Sequence, residues 1–309
     1  MDYFEEQDGE AVNPTDGTPL ETLISRRTLL KGVAAGSAFG LFGCATASGE
    51  SAPMATGDGS APLGFTEVSR TEDDKHHVAP GYTAQPLLRQ GDPIRADAPE
   101  YNPATQTGAD QEKQFGTDAD FISFMPLPLG SNSSTRGLLG VNHENHRASI
   151  CFPGVTSKTP LTRQQVEVQI AAQGFSVVEV AKEGRQWRVV KDSRYNRRIS
   201  GNAPMRISGP AAGSPRLRTS ADPTGTRSLG TLNNCAGGTT PWGTMLTAEE
   251  NIQNYFSGNA AAGPEAGARK RQNITGKGRY ADWARYQDRW NLDKEPNEPN
   301  RFGWIVEID

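Results

Sequence analysis

Apolar residues gather in short runs separated by turn formers, and the first clear run is Phe121-Ile122-Ser123-Phe124-Met125-Pro126-Leu127-Pro128-Leu129. A run of this kind, closed by prolines, predicts a strand that cannot continue its ladder past Pro126. Gly130-Ser131-Asn132-Ser133-Ser134 predicts a turn and Arg136–His143 the returning strand, so the pair reads as a hairpin. Thr162-Arg163-Gln164-Gln165 has the form of a capping box and opens a helix that Gly174 is expected to close. Ser176–Val180 and Gln186–Val190 predict a second hairpin around Glu183-Gly184. A third pair of extended segments is predicted at Ser228–Asn233 and Thr244–Ala248. Phe302–Ile308 reads as a last strand with no later segment to pair with, which points to an incomplete sheet. Repeated hairpins with helical and irregular insertions predict an all-β protein, although no repeat stands out at the ~40–50-residue period of a propeller blade.

Upstream of the first hairpin the pattern fades. Residues 48–64 are rich in Gly, Ser and Ala and predict a flexible linker. From residue 65 to Gly116 the chain is polar and broken by Pro80, Pro86, Pro93, Pro99 and Pro103, which predicts extended segments over a surface. Composition agrees with many short elements. The 309 residues include 34 Gly and 21 Pro, about 18% of the chain against a background of about 12%. Three cysteines are too few to staple a fold of this size.

The formal charge of −4 is concentrated at the front. Residues 1–47 hold seven acids and three bases; removing them from 36 acids and 32 bases leaves 29 of each. The remaining chain is formally neutral and has no basic stripe with interleaved aromatics, so a nucleic-acid binder is not expected. Ser25-Arg26-Arg27-Thr28-Leu29-Leu30-Lys31 precedes a Gly/Ala-rich apolar stretch, Gly32–Gly43. That stretch is shorter than the ~20 residues needed to span a bilayer. The pattern is similar to a twin-arginine signal, with Arg26 and Arg27 as the recognised pair and the translocation machinery as partner. It predicts export to the periplasm or beyond. Cleavage at Ala45-Thr46-Ala47 is the preferred processing; the competing reading is a lipoprotein box that lipidates Cys44 and anchors the protein. No transmembrane span is expected.

Three segments concentrate chemistry. Asn142-His143-Glu144-Asn145 sits at a strand end, where a carboxylate beside two amides offers hard oxygen ligands for Ca²⁺. The competing reading is a polar strand terminus tied into a turn, with His143 either a ligand or a hydrogen-bonding anchor. Asn233-Asn234-Cys235-Ala236-Gly237-Gly238 places a cysteine beside glycines that let the backbone turn sharply. A thiolate there suits iron or zinc; the alternatives are a buried free cysteine or a disulfide to Cys151. Glu249-Glu250-Asn251 ends a strand on adjacent acids, which point to opposite faces and are often a solvated edge.

Taken together these segments resemble the alkaline phosphatase PhoX family of exported bacterial enzymes. The match runs through Ser193–Arg198, Ser208–Gly213, Thr219–Gly225, Leu232–Trp242, Leu246–Asn251 and Lys294–Trp304, roughly residues 115–309. The run Asn233–Gly238 followed by Pro241-Trp242-Gly243 is its most specific part. The resemblance implies a six-bladed β-propeller, of which this chain is a partial one, its phosphatase domain beginning near residue 65. It implies hydrolysis of phosphate monoesters, releasing phosphate, on a site holding Fe³⁺ and Ca²⁺. Carried onto this chain, Cys235 becomes an iron ligand, Glu144 and Glu250 carboxylate ligands, and Glu249 and Asn251 weaker candidates. Further ligands and the substrate-contacting residues are expected beyond Asp309; the protein is expected to be a monomer, and the piece alone to be inactive or unstable. Two other functions compete: a non-catalytic calcium-binding propeller, and a phosphodiesterase on the same metals. Cys235 argues against the first, because a purely calcium-binding site has no use for a soft thiolate.

Overall fold

A computed structural model describes residues 66–309, within which Val68–Asp309 forms one compact unit. The predicted signal region 1–47, with Arg26, Arg27, Cys44 and Ala47, the whole of the predicted linker 48–64 and residue 65 lie outside the described residues. No helix among the described residues is long and apolar enough to cross a membrane.

The architecture is mostly β-sheet with few, short helices. After a four-residue helix α1 (Gly108–Gln111), the first hairpin is β1 (Ala119–Pro126) and β2 (Arg136–His143). Next come α2 (Ala148–Cys151) and α3 (Arg163–Ala172). β3 (Gly174–Glu183), β4 (Gln186–Val189) and β5 (Arg197–Ile199) complete a five-stranded antiparallel sheet. β3 is its centre: β2 covers one edge, and β5 then β4 share the other. A ribbon of β6 (Pro204–Arg206) and β7 (Arg227–Leu229) precedes a second sheet. That sheet has the order β10 (Ile305–Ile308), β9 (Met245–Glu249), β8 (Asn234–Thr239). A closed ring of blades is not formed by the described residues.

Alternation along the central strands decides what faces what. Leu138 on β2 and Phe175 and Val177 on β3 pack with Met245 and Ile308 of the second sheet. Val141, Val178 and Val180 point the other way, onto Ile94 and Phe115. β3 is therefore buried on both faces, which is why it reads as a continuous apolar run. The polar segment before β1 contributes to that second core through Ile94 and Phe115, rather than lying wholly on the surface.

Helix α3 begins as predicted, with Thr162 accepting from the Gln165 amide and the Gln165 side chain reciprocating. It ends at Ala172 with Gln173 at the C-cap, and Gly174 follows at positive φ, closing the helix as expected and opening β3 at once. Extended Gln173 and Gly174 at φ 99° take the chain from helix into strand, and the glycine's missing Cβ leaves room for the Ile199 carbonyl oxygen of β5. The third predicted pair does not form. β7 pairs with β6, and β9 pairs with β8, which falls where a sharp turn was expected. Gly237 and Gly238 lie in extended strand; the turn sits later, at Gly243 with φ 92°. β10, expected to lack a partner, pairs antiparallel with β9.

Residues 252–302 form no strand and hold a six-residue helix, α4 (Ala266–Arg271), among short 3₁₀ turns, yet they build a large core. Short 3₁₀ turns bring Tyr255, Phe256, Tyr280, Trp283, Trp290 and Phe302 together under α3. Aromatic burial of this kind, at about 1.5–3 kcal/mol per side chain, replaces a hydrogen-bonded ladder as the organising force. Buried Arg269 fixes the loops by donating to the carbonyls of Ala260, Ala262 and Pro296.

Candidate metal centre

Two irregularities in the strands create the site. The β1–β2 register slips between Ala119 and Ile122, so Asp120 and Phe121 occupy a bulge. The β8–β9 register slips between Asn234 and Gly237, so Cys235 and Ala236 occupy another. A bulge adds one residue to one strand and re-aims its side chain. The two bulges dock on each other: the Phe121 ring lies where a Cβ on Gly237 would be. Glu144 follows the last residue of β2, its amide donating to the Asp118 carbonyl at 3.0 Å.

The result is that ligand atoms of Asp120, Glu144 and Cys235 lie within 4.8 Å of one another. Asp120 is exposed, and Glu144 and Cys235 are half-buried. The Cys235 thiol is pushed up to about 12, first by its hydrogen bond to Asp120, then by burial and by the charges of Glu250, Asp120 and Glu144. Converging negative charge of this kind is relieved by a cation, which also lowers a thiol's pKa. One soft sulfur among hard oxygens fits iron, and the carboxylates fit iron and calcium alike.

The surrounding residues hold the ligands in place. Asn142 is fully buried and faces β8, because alternation on β2 points it opposite to His143. Its Nδ2 donates to the bulge carbonyls of Cys235 at 2.5 Å and Ala236 at 3.1 Å, and its Oδ1 accepts from Thr247 Oγ1 at 2.7 Å. Glu144 Oε1 accepts from Asn145 Nδ2 at 2.7 Å and Asn233 Nδ2 at 3.1 Å. Asn233 stands at φ 52°, the left-handed region that asparagine tolerates better than most residues.

Other predicted residues sit differently. Glu250 is exposed and accepts from Asn251 Nδ2 at 2.5 Å, close enough for its charge to act on Cys235. Asn251, at φ 46°, precedes the turn Ile252–Tyr255 without a side-chain capping bond to it. Glu249 is turned away from the cluster: its carboxylate accepts the backbone amides of Leu232, Gly303 and Trp304 at 3.2, 2.8 and 3.2 Å. His143 is an anchor, fully buried between the Thr117 carbonyl and Ser176 Oγ, its pKa held well below the usual range by burial and by Arg198. Cys235 and Cys151 are free thiols, not a disulfide. Asp120 was not anticipated; its signal was an acid pair, Asp118 and Asp120, at the entry to the first apolar run.

A mostly β scaffold brings a thiol and a carboxylate from two strand bulges together with a second carboxylate from a strand end, a set of groups able to hold a cation. The sequence profile described as "Alkaline phosphatase PhoX" matches residues 63–309, and the chain belongs to the alkaline phosphatase PhoX family. Among solved structures it is similar to Pseudomonas fluorescens PhoX in complex with vanadate, a transition state analogue. The TM-score is 0.73 at 39% identity, covering 79% of this chain and 42% of that one. The chain thus spans less than half the length of that relative. No curated protein sequence matches it.

Proposed function

We propose that the chain is part of a metal-dependent alkaline phosphatase that hydrolyses phosphate monoesters to inorganic phosphate. The observation that carries this reading is the convergence of Asp120, Glu144 and Cys235 in a member of this family. The relative's vanadate complex supports phosphoryl chemistry as the shared activity.

Cys235 would hold iron through its sulfur, with Asp120 and Glu144 as carboxylate ligands to iron or calcium. Glu250 and Asn251 stand at the rim, and Glu249 serves as a buttress beneath them. When bound, the iron–calcium group supplies Lewis acidity and neutralises phosphoryl charge during in-line displacement, so no serine nucleophile is required. Asn142 fixes the Cys235 bulge, and Asn145 and Asn233 orient Glu144. The two sheets are read as blades of a larger six-bladed propeller. The protein is read as a monomer exported by the twin-arginine pathway through Arg26 and Arg27, with cleavage at Ala47 preferred over lipidation at Cys44.

The test is metal analysis of the chain with and without Cys235→Ser, beside an aryl phosphate assay in Ca²⁺ and Fe³⁺. Loss of bound iron and of any turnover in the variant is the expected result. Unchanged iron content after Cys235→Ser would end the ligand assignment, and diester turnover exceeding monoester turnover would replace the substrate class.

A further inference from the structure

Both hydrogen bonds to the Glu144 carboxylate fall on Oε1, and both donors are asparagine amides. A primary amide offers two edges. Turned by half a rotation, it would present an oxygen lone pair to the carboxylate and repel it. Glu144 is therefore only as well placed as these two amides are.

Each amide is fixed on its far edge by a tyrosine. Asn145 Oδ1 accepts from Tyr280 Oη at 3.2 Å, and Asn233 Oδ1 accepts from Tyr255 Oη at 3.2 Å. The two phenol rings stack, with centroids 4.8 Å apart and an interplanar angle of 4°. Tyr255 is 1% and Tyr280 4% exposed, and both rings pack on Trp283. The hydroxyls are held from behind as well. Tyr280 Oη accepts the His146 backbone amide at 3.4 Å, which leaves its own proton for Asn145. Tyr255 Oη also lies 2.5 Å from Gln173 Oε1, so its proton is shared between Gln173 and Asn233.

We infer that the stacked Tyr255–Tyr280 pair is a positioning device that locks both amides so that Glu144 turns its second carboxylate oxygen towards a bound cation. The inference rests on reading Glu144 as a cation ligand. It assigns a role to the aromatic region beyond filling a core: one stack sets two hydrogen bonds on one oxygen. Neither tyrosine touches the cation or the substrate, and both act through asparagine.

The experiment uses the 309-residue chain carrying Tyr280→Phe, Tyr255→Phe or both, which keep the stack and remove only hydroxyls. Tyr286→Phe is the control, because its hydroxyl donates to the Leu161 carbonyl at 2.9 Å and touches neither amide. Each protein is titrated with Ca²⁺ by calorimetry and with ferric nitrilotriacetate by the thiolate-to-iron charge-transfer absorption. Losing a direct partner of a ligand costs about 10–100-fold in affinity; the tyrosines act one bond further out, so each single variant should weaken binding by up to about tenfold. Tyr286→Phe should bind as the parent does. Parent-like affinity in both single variants would overturn the inference and leave the metal reading standing. If the parent itself bound neither ion, the metal reading would fall and the inference with it. Should the phenylalanine variants not fold, Asn145→Ala carries the direct-partner expectation with both tyrosines intact, and parent-like affinity there would overturn the inference too.

Discussion

Asn142 offers the sharpest test of how the site is built. Its Nδ2 holds both carbonyls of the Cys235–Ala236 bulge, and its Oδ1 takes the Thr247 hydroxyl proton. Asn142→Leu keeps the volume and removes all three bonds. At about 1 kcal/mol each, the loss is about 3 kcal/mol, and the buried Thr247 hydroxyl left without its acceptor adds to it. That is a large fraction of a domain stability of about 5–15 kcal/mol. Asn142→Asp separates the contributions: it keeps the acceptor for Thr247 but sets a carboxylate against two carbonyl oxygens. It should be the less stable variant despite its closer shape. Urea unfolding of the parent and both variants measures this, with the slope unchanged if only stability moves. A loss below about 1 kcal/mol for Asn142→Leu, or an Asn142→Asp protein as stable as the parent, would refute the argument.

Two further predictions follow from packing and from titration. Gly237→Ala drives a methyl into the Phe121 ring and to 2.8 Å from the Leu246 carbonyl oxygen, costing about 1–3 kcal/mol as overpacking. It should also part the two bulges, so ferric titration should weaken alongside the urea midpoint; a weaker midpoint with unchanged iron binding would mean the bulges do not set the ligand spacing. His146 is buried with neither ring nitrogen hydrogen-bonded, and burial lowers its pKa to about 4. Because the folded value lies below the unfolded value of 6.5, the unfolded chain binds more protons between them. Stability present above pH 6.5 is then lost as the pH falls towards 4, by about 2 kcal/mol at about pH 5. His146→Leu should flatten that part of the urea-midpoint profile, and an unaltered acid slope would assign the effect elsewhere.

Much of the fold was legible where a strong local signal coincided with tertiary demand. Arg136–His143 forms β2 with its predicted bounds, because alternation and flanking turns agree there. The Thr162 capping box starts α3 where its spacing places it. Gly237 misled, because glycine serves two needs and a sequence does not tell them apart: a turn, or the close approach of a neighbour such as Phe121. Glu144 and Cys235 stood out as residue types in unusual company, and the structure brings them together. Asp120 did not, because its placement depends on a register slip, and a slip leaves no trace in hydrophobic periodicity. Glu249 shows the converse: beside Glu250 it stood as a weaker candidate ligand, yet three backbone amides claim it. The aromatic region escaped because its order lies in ring packing among irregular turns, with no period to read.

The partners around Glu144 and Cys235 are far apart along the chain: 93 residues between Asn142 and Cys235, 89 between Glu144 and Asn233, 135 between Asn145 and Tyr280. Closing such loops is slow and is rewarded only once the ends meet. During synthesis the β1–β2 hairpin and α3 can form early, whereas the cluster cannot close until Cys235 has emerged, nor the tyrosine contact to Asn145 until Tyr280 has. Assembly of the site is thus a late event in folding. Its completion marks a chain whose remote segments have found one another.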